Sequence, residues 1–157
     1  MSEEFPRRVD GIAGLEALVG VELGPSEPLV VDEATVRAFA DATGDHQWIH
    51  VDTERAKKEG PWGGPIAHGY LVMSLVPQML FRRLVQVEGM KAVINYGIDR
   101  LRFPDVTRVG SALTLRAKLA GITQKQTGHL ARFEVAFSAE GSAKPCCVAE
   151  ILVLFTA

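Results

Sequence analysis

The sequence predicts an α+β protein in which an antiparallel sheet wraps around one central, buried helix. Two observations carry that prediction. Four strand-like segments follow one another in the second half, at 91–103, 112–121, 129–139 and 146–155. Just before them lies the most apolar segment of the chain, 69–81, with helices and a short extended stretch earlier still. A run of helices and then a run of strands is the pattern of the α+β class.

Taken in order, residues 1–10 open on a charged stretch expected to fray. Residues 12–19 suit a short helix carrying Leu15 and Leu18. Residues 19–23 alternate apolar and polar, Gly24–Pro25 turns the chain, and 29–31 resumes extended structure, so a strand, turn and return is expected. Asp32 suits the N-cap of the next helix, because its carboxylate can accept from free backbone N–H groups. That helix carries Val36, Phe39 and Ala40 at helical spacing and ends near Thr43–Gly44. In 69–81, Tyr70, Leu71, Val72, Met73, Leu75 and Val76 leave no polar face, and such a helix must be buried on most sides. Pro77 deletes one backbone hydrogen bond and is expected to bend the helix near Met73. Along 112–121, Leu113, Leu115, Ala117 and Leu119 alternate with their neighbours, as do Phe133, Val135 and Phe137 further on.

The chain of 157 residues is read as one domain, 1–157, with 47% hydrophobic and 23% charged residues. A net charge of -2 speaks against nucleic-acid binding. No basic start followed by an apolar run suggests a signal peptide, and 69–81 is too short to span a bilayer. Cys146 and Cys147 are adjacent, with Cα atoms about 3.8 Å apart, too close for an ordinary disulfide. They read as reduced strand residues of a cytoplasmic protein. A sheet of five or six strands has edges to cover, and an edge-to-edge homodimer is one way to cover them.

The stretch 41–71, DATGDHQWIHVDTERAKKEGPWGGPIAHGYL, concentrates the chemistry. Asp45 and His50 are five positions apart, about 140° on a regular helix, so they can cooperate only if the segment is irregular. Gly44 makes that possible. Such a pair can hold one water and move its protons; residues this close also serve as surface or capping groups. Asp52 or Thr53 suits the cap of a following turn, and Trp48 and Ile49 suit inward packing. The turn-rich PWGGP, 61–65, delivers the chain to His68 and Gly69. The first N–H groups of the helix that follows lack internal partners, and a developing oxyanion would be stabilised there. Gly69 admits close approach to the backbone, or merely tight packing. His68 reads as a structural hydrogen-bonder. The cations Arg82, Arg83, Lys91, Arg100, Arg102 and Arg108 are scattered and read as solvated surface.

Together, ATGDHQWIHVD and GGPIAHGYL resemble the MaoC-like dehydratases, the (R)-specific enoyl-CoA hydratase group, in its single-domain, nodulation protein N-like branch. Asn95–Gly97 (NYG) and Arg102–Pro104 (RFP) agree in order. The resemblance implies the hot-dog fold, a curled antiparallel sheet around a long helix, as a homodimer or higher oligomer. It implies reversible addition of water to a trans-2-enoyl thioester, with Asp45 and His50 catalytic and the Gly69 amide polarising the thioester carbonyl. The commonest family form has Asn and Pro where this chain has Gln47 and Trp48. Gln47 and His68 are then supporting residues, and Val72, Val76 and Leu80 could line an acyl tunnel. CoA or an acyl carrier is substrate, and no metal or other cofactor is implied. Two other readings remain at this point: a hot-dog acyl-CoA thioesterase, and a non-catalytic acyl-thioester-binding subunit.

Overall fold

The computed structural model describes residues 5–157. In chain order, the first half holds β1 (Arg7–Asp10), α1 (Gly11–Glu16), β2 (Glu22–Leu23), β3 (Leu29–Val30), α2 (Glu33–Thr43), α3 (Trp48–Val51), α4 (Thr53–Glu59), α5 (Gly69–Ser74) and α6 (Val76–Phe81). The strands β4 (Val85–Glu88), β5 (Ala92–Arg102), β6 (Ala112–Lys125), β7 (Gly128–Ala139) and β8 (Cys147–Thr156) follow. The last four are the four expected strands, and they pair antiparallel in the spatial order β6, β7, β8, β5.

Three expectations are corrected. Residues 1–10 do not fray throughout. The first four lie outside the described residues, and Arg7–Asp10 pair in parallel with β4, from Arg7 opposite Val85 to Asp10 opposite Glu88. The strand, turn and return over 19–31 is not a hairpin. β2 and β3 both lie along the same edge of β6, Leu23 opposite Ala117 and Leu29 opposite Leu113. Between them Ser26 continues the ladder. Its N–H donates to the Leu115 carbonyl at 2.9 Å, and its hydroxyl accepts from the Leu115 N–H at 3.0 Å. The central helix is not one long rod but α5 and α6, parted at Leu75. Pro77 has no N–H to give the Met73 carbonyl, and the Leu75 N–H tightens onto the Val72 carbonyl at 3.1 Å.

The core lies between this broken helix and the concave sheet face. Val72, Met73, Val76, Met79 and Leu80 meet Leu113, Leu115, Phe133, Phe137 and Phe155 there. Phe81 stands edge-on to Phe133 and Phe155, each at 5.9 Å between centroids. Fully burying a side chain of this kind is worth about 1.5–3 kcal/mol, which ties the helix to the sheet. The alternation in β6 holds: Leu113, Leu115, Ala117 and Leu119 are buried. The helix is buried on most sides, as expected, and exposes one stripe of Tyr70, Ser74, Pro77 and Gln78. Beside it the edge strand β5 exposes Val93, Ile94, Tyr96 and Ile98. Cys146 and Cys147 are buried and unbridged, and burial raises the Cys147 thiol to about 12.

Candidate functional site

Asp45 and His50 come together because α2 stops where it does. Asp32 caps its start, accepting from the Thr35 N–H at 2.8 Å. At its end Gly44 takes φ 80°, a left-handed cap that costs little only without a side chain. The chain then breaks from helical geometry, placing Asp45 in a loop and His50 on the single turn α3. Trp48 and Ile49 are half-buried, as expected, and Arg55 lies over the Trp48 ring at 4.5 Å. Asp52 caps α4 by accepting from the Arg55 N–H at 3.0 Å.

His50 is 9% exposed and fixed by a reciprocal backbone link. The Ile66 N–H donates to the Ile49 carbonyl at 3.0 Å, while the Ile66 carbonyl lies 2.6 Å from His50 Nδ1. A carbonyl can only accept, so Nδ1 carries the proton and Nε2 presents a lone pair. Burial pushes the imidazole below its usual 6.5; the Ile66 bond opposes this, His68 adds to it, and Asp45 opposes it. Nε2 stands 4.0 Å from Asp45 Oδ2.

His68 is 3% exposed and packs on the face of the same ring. Its ring stacks on that of His50, centroids 3.8 Å apart at 26°, with Phe39 at 4.9 Å. Nε2 of His68 is 2.9 Å from the Asp45 backbone carbonyl, so it too must donate there. Asp45 Oδ1 accepts from the Gln47 N–H at 3.4 Å. Gln47 therefore meets Asp45 through its backbone, and its side chain is exposed and makes no cap bond. One donor atom each from Asp45, His50 and His68 lie within 4.8 Å of one another, a spacing that could hold a metal ion. The bond to the Asp45 carbonyl, however, puts a proton on His68 Nε2, which leaves that atom no lone pair for a metal.

A cleft of about 200 Å³ is lined by Asp45, His50, His68, Gly69, Tyr70 and Phe103. Gly69 is the first residue of α5, so its N–H has no intrahelical acceptor. A Cβ on Gly69 would lie 2.9–3.0 Å from the Phe103 ring, so glycine is what lets the ring close over the helix start. Tyr70 is 70% exposed and edge-on to Phe103 at 6.0 Å; Phe103 is 39% exposed. This two-ring lip was not read as site residues from sequence, although RFP was noted as a matching motif. The Ile66 carbonyl carries no side-chain signal that could have marked it. A second Asp–His pair, Asp41 and His46 at 2.7 Å, lies on the exposed surface. The Asp41 carboxylate raises the pKa of His46 there. Of the expected tunnel residues, Val76 lines a groove of about 340 Å³ with Met73, Ser74 and Pro77 against β5. Val72 and Leu80 belong to the packed core.

The sheet and its broken helix define a hot-dog protein, and solved structures share the arrangement. An R-hydratase from Pseudomonas aeruginosa aligns at a TM-score of 0.74 and 21% identity, over 93% of this chain and 85% of that one. The (R)-hydratase of A. caviae, involved in PHA biosynthesis, aligns at 0.67 and 23%, over 87% and 95%. The MaoC like domain family matches residues 15–138. The 3-hydroxyacyl-thioester dehydratase Z of Mycobacterium tuberculosis is 42% identical over 152 residues, covering 96% of this chain and 99% of the relative. Nodulation protein N of Rhizobium leguminosarum bv. viciae is 38% identical over 144 residues, covering 91% and 89%. The chain therefore belongs to the MaoC-like dehydratase family.

Proposed function

We propose that the protein is an (R)-specific enoyl-thioester hydratase that also runs in reverse as a 3-hydroxyacyl-thioester dehydratase. The observation that carries this reading is the 4.0 Å gap between His50 Nε2 and Asp45 Oδ2, opening onto the cleft beside Gly69. Both atoms are acceptors in the assigned tautomer, and the gap is too long for a direct hydrogen bond. A water about 2.8 Å from each can donate one O–H to each.

The chemistry follows from that placement. The water oxygen attacks C3 of the conjugated thioester while His50 Nε2 takes one of its protons. The other proton stays in the new hydroxyl, held by Asp45. Charge moves to the thioester oxygen, where the Gly69 N–H stabilises it as an enolate-like oxygen. The imidazolium then returns its proton to C2. One water has supplied both H and OH from one face, so addition is syn, and His50 ends as it began. His50, already neutral because burial lowers its pKa, is the base. The names of the relatives support the same reaction.

The substrate is the thioester of CoA or an acyl carrier, and no metal or other cofactor takes part. The acyl tail fits the groove along Met73, Ser74, Val76 and Pro77, which starts one turn beyond Gly69 on the broken helix. A second copy covers the exposed apolar edge of β5, giving a homodimer in the cytoplasm. No helix among the described residues is long and apolar enough to cross a membrane. The test is a panel of trans-2-enoyl-CoAs of increasing length, followed by loss of the conjugated-thioester absorbance and by product chirality. Loss of absorbance with an (R)-3-hydroxyacyl product is expected. Release of free thiol without hydration would identify a thioesterase, and binding without turnover would identify a non-catalytic subunit.

A further inference from the structure

We propose that His68 is a positioning residue, held with its proton on Nε2, that holds the Asp45 carboxylate at its working distance from His50. This rests on the hydratase reading above. Two contacts and one unpartnered nitrogen meet on one ring. Its Nε2–H donates 2.9 Å to the backbone carbonyl of Asp45, a residue 23 positions earlier in the chain. Its face covers His50 at 3.8 Å between centroids. Its Nδ1 is buried and has no hydrogen-bond partner among the described residues.

The unpartnered nitrogen decides the tautomer. A proton on Nδ1 would need an acceptor there, and a buried N–H without one is strongly disfavoured. With the proton on Nε2 the ring avoids that penalty and has one donor to use. It spends that donor on the Asp45 carbonyl, fixing a loop whose carboxylate is otherwise exposed. Asp45 Oδ2 is 4.0 Å from Nε2 of both histidines. Only the lone pair of His50 can accept from a water there, because His68 presents a proton. His68 therefore decides which of the two histidines is the base without touching substrate.

Two measurements test this. Nitrogen NMR of the wild-type ring should show a protonated Nε2 and an unprotonated Nδ1; the opposite tautomer would overturn the proposal. In steady-state kinetics, His68→Gln retains a donor at the reach of Nε2 and should keep kcat within several-fold. His68→Phe retains the ring stack but no donor, and should lose about 10²-fold in kcat with KM little changed, as expected for misplacement by an ångström. A folded His68→Phe with wild-type kcat, or a folded His68→Gln as impaired as His68→Phe, would overturn it. If wild-type protein hydrates no enoyl thioester, the hydratase reading falls, and the NMR result still decides the state of His68.

Discussion

Oδ2 of Asp45 and Nε2 of His50 stand 4.0 Å apart across five residues that a regular helix would turn well away from each other. The left-handed cap at Gly44 and the fresh helical turn at Trp48 make the approach possible. The two groups are held by different means. His50 is buried and tied to the Ile66 carbonyl, whereas Asp45 has an exposed carboxylate on a loop tied down by His68.

Gly69→Ala tests the helix start. The new methyl would meet the Phe103 ring at 2.9–3.0 Å, and the ring, being part-exposed, would swing aside. Stability should change little. Losing the fit around the Gly69 amide should lower kcat by about 10²-fold, the scale of one oxyanion donor. Adding Phe103→Ala should recover part of that loss by restoring room. Unaltered kcat in the single variant would show that the close fit at Gly69 does not matter to the reaction.

The pH dependence has a defined sign. Burial lowers the His50 pKa below 6.5, so the ring is neutral above that lowered value and loses its lone pair as pH falls through it. Hydration kcat/KM should be on its plateau at neutral pH. It should then fall by about tenfold per unit on the acid side of the lowered pKa. An acid limb centred above 6.5 would contradict His50 as the base.

Chain-length selection should follow the groove. Ser74 lies on its wall, exposed, with its hydroxyl donating to the Tyr70 carbonyl at 2.7 Å. Ser74→Phe should leave crotonyl-CoA hydration within a few-fold and lower the octenoyl-to-crotonyl ratio by about tenfold or more. Equal losses on both substrates would place the tail elsewhere.

The open edge of β5 should be where copies meet. Ile94→Lys puts a charge on that edge, a device that discourages strand pairing. Sedimentation velocity should show a dimer for the wild type and a shift to monomer for the variant. A monomeric wild type, or an unshifted variant, would remove the homodimer from the account.

β6 and β7 were legible because their apolar residues recur at every second position, and all four long strands because the breaks fall near Pro104, Gly110, Gly128 and Gly141. That Asp45, His50 and Gly69 share one cleft was legible through a local motif. What was not legible depends on distant partners. Ser26 continues a ladder with Leu115, 89 positions away, so the interrupted edge strand looked like a hairpin. β1 is only four residues long and is paired with an equally short β4, so its pairing left no clear period. The broken central helix was half-legible: Pro77 announced a defect, but its missing bond to Met73 separates two helices at Leu75 rather than bending one. Phe103 joins the site only because β5 carries it across to α5.

The most direct test is crotonyl-CoA hydration by Asp45→Asn and His50→Gln, followed at the conjugated-thioester absorbance, with circular dichroism to verify folding. Each variant should fold as the wild type does and lose about 10²–10⁴-fold in kcat, the range of a positioned acid or base. Folded variants that both turn over at near wild-type rates would contradict a water shared by this carboxylate and this imidazole.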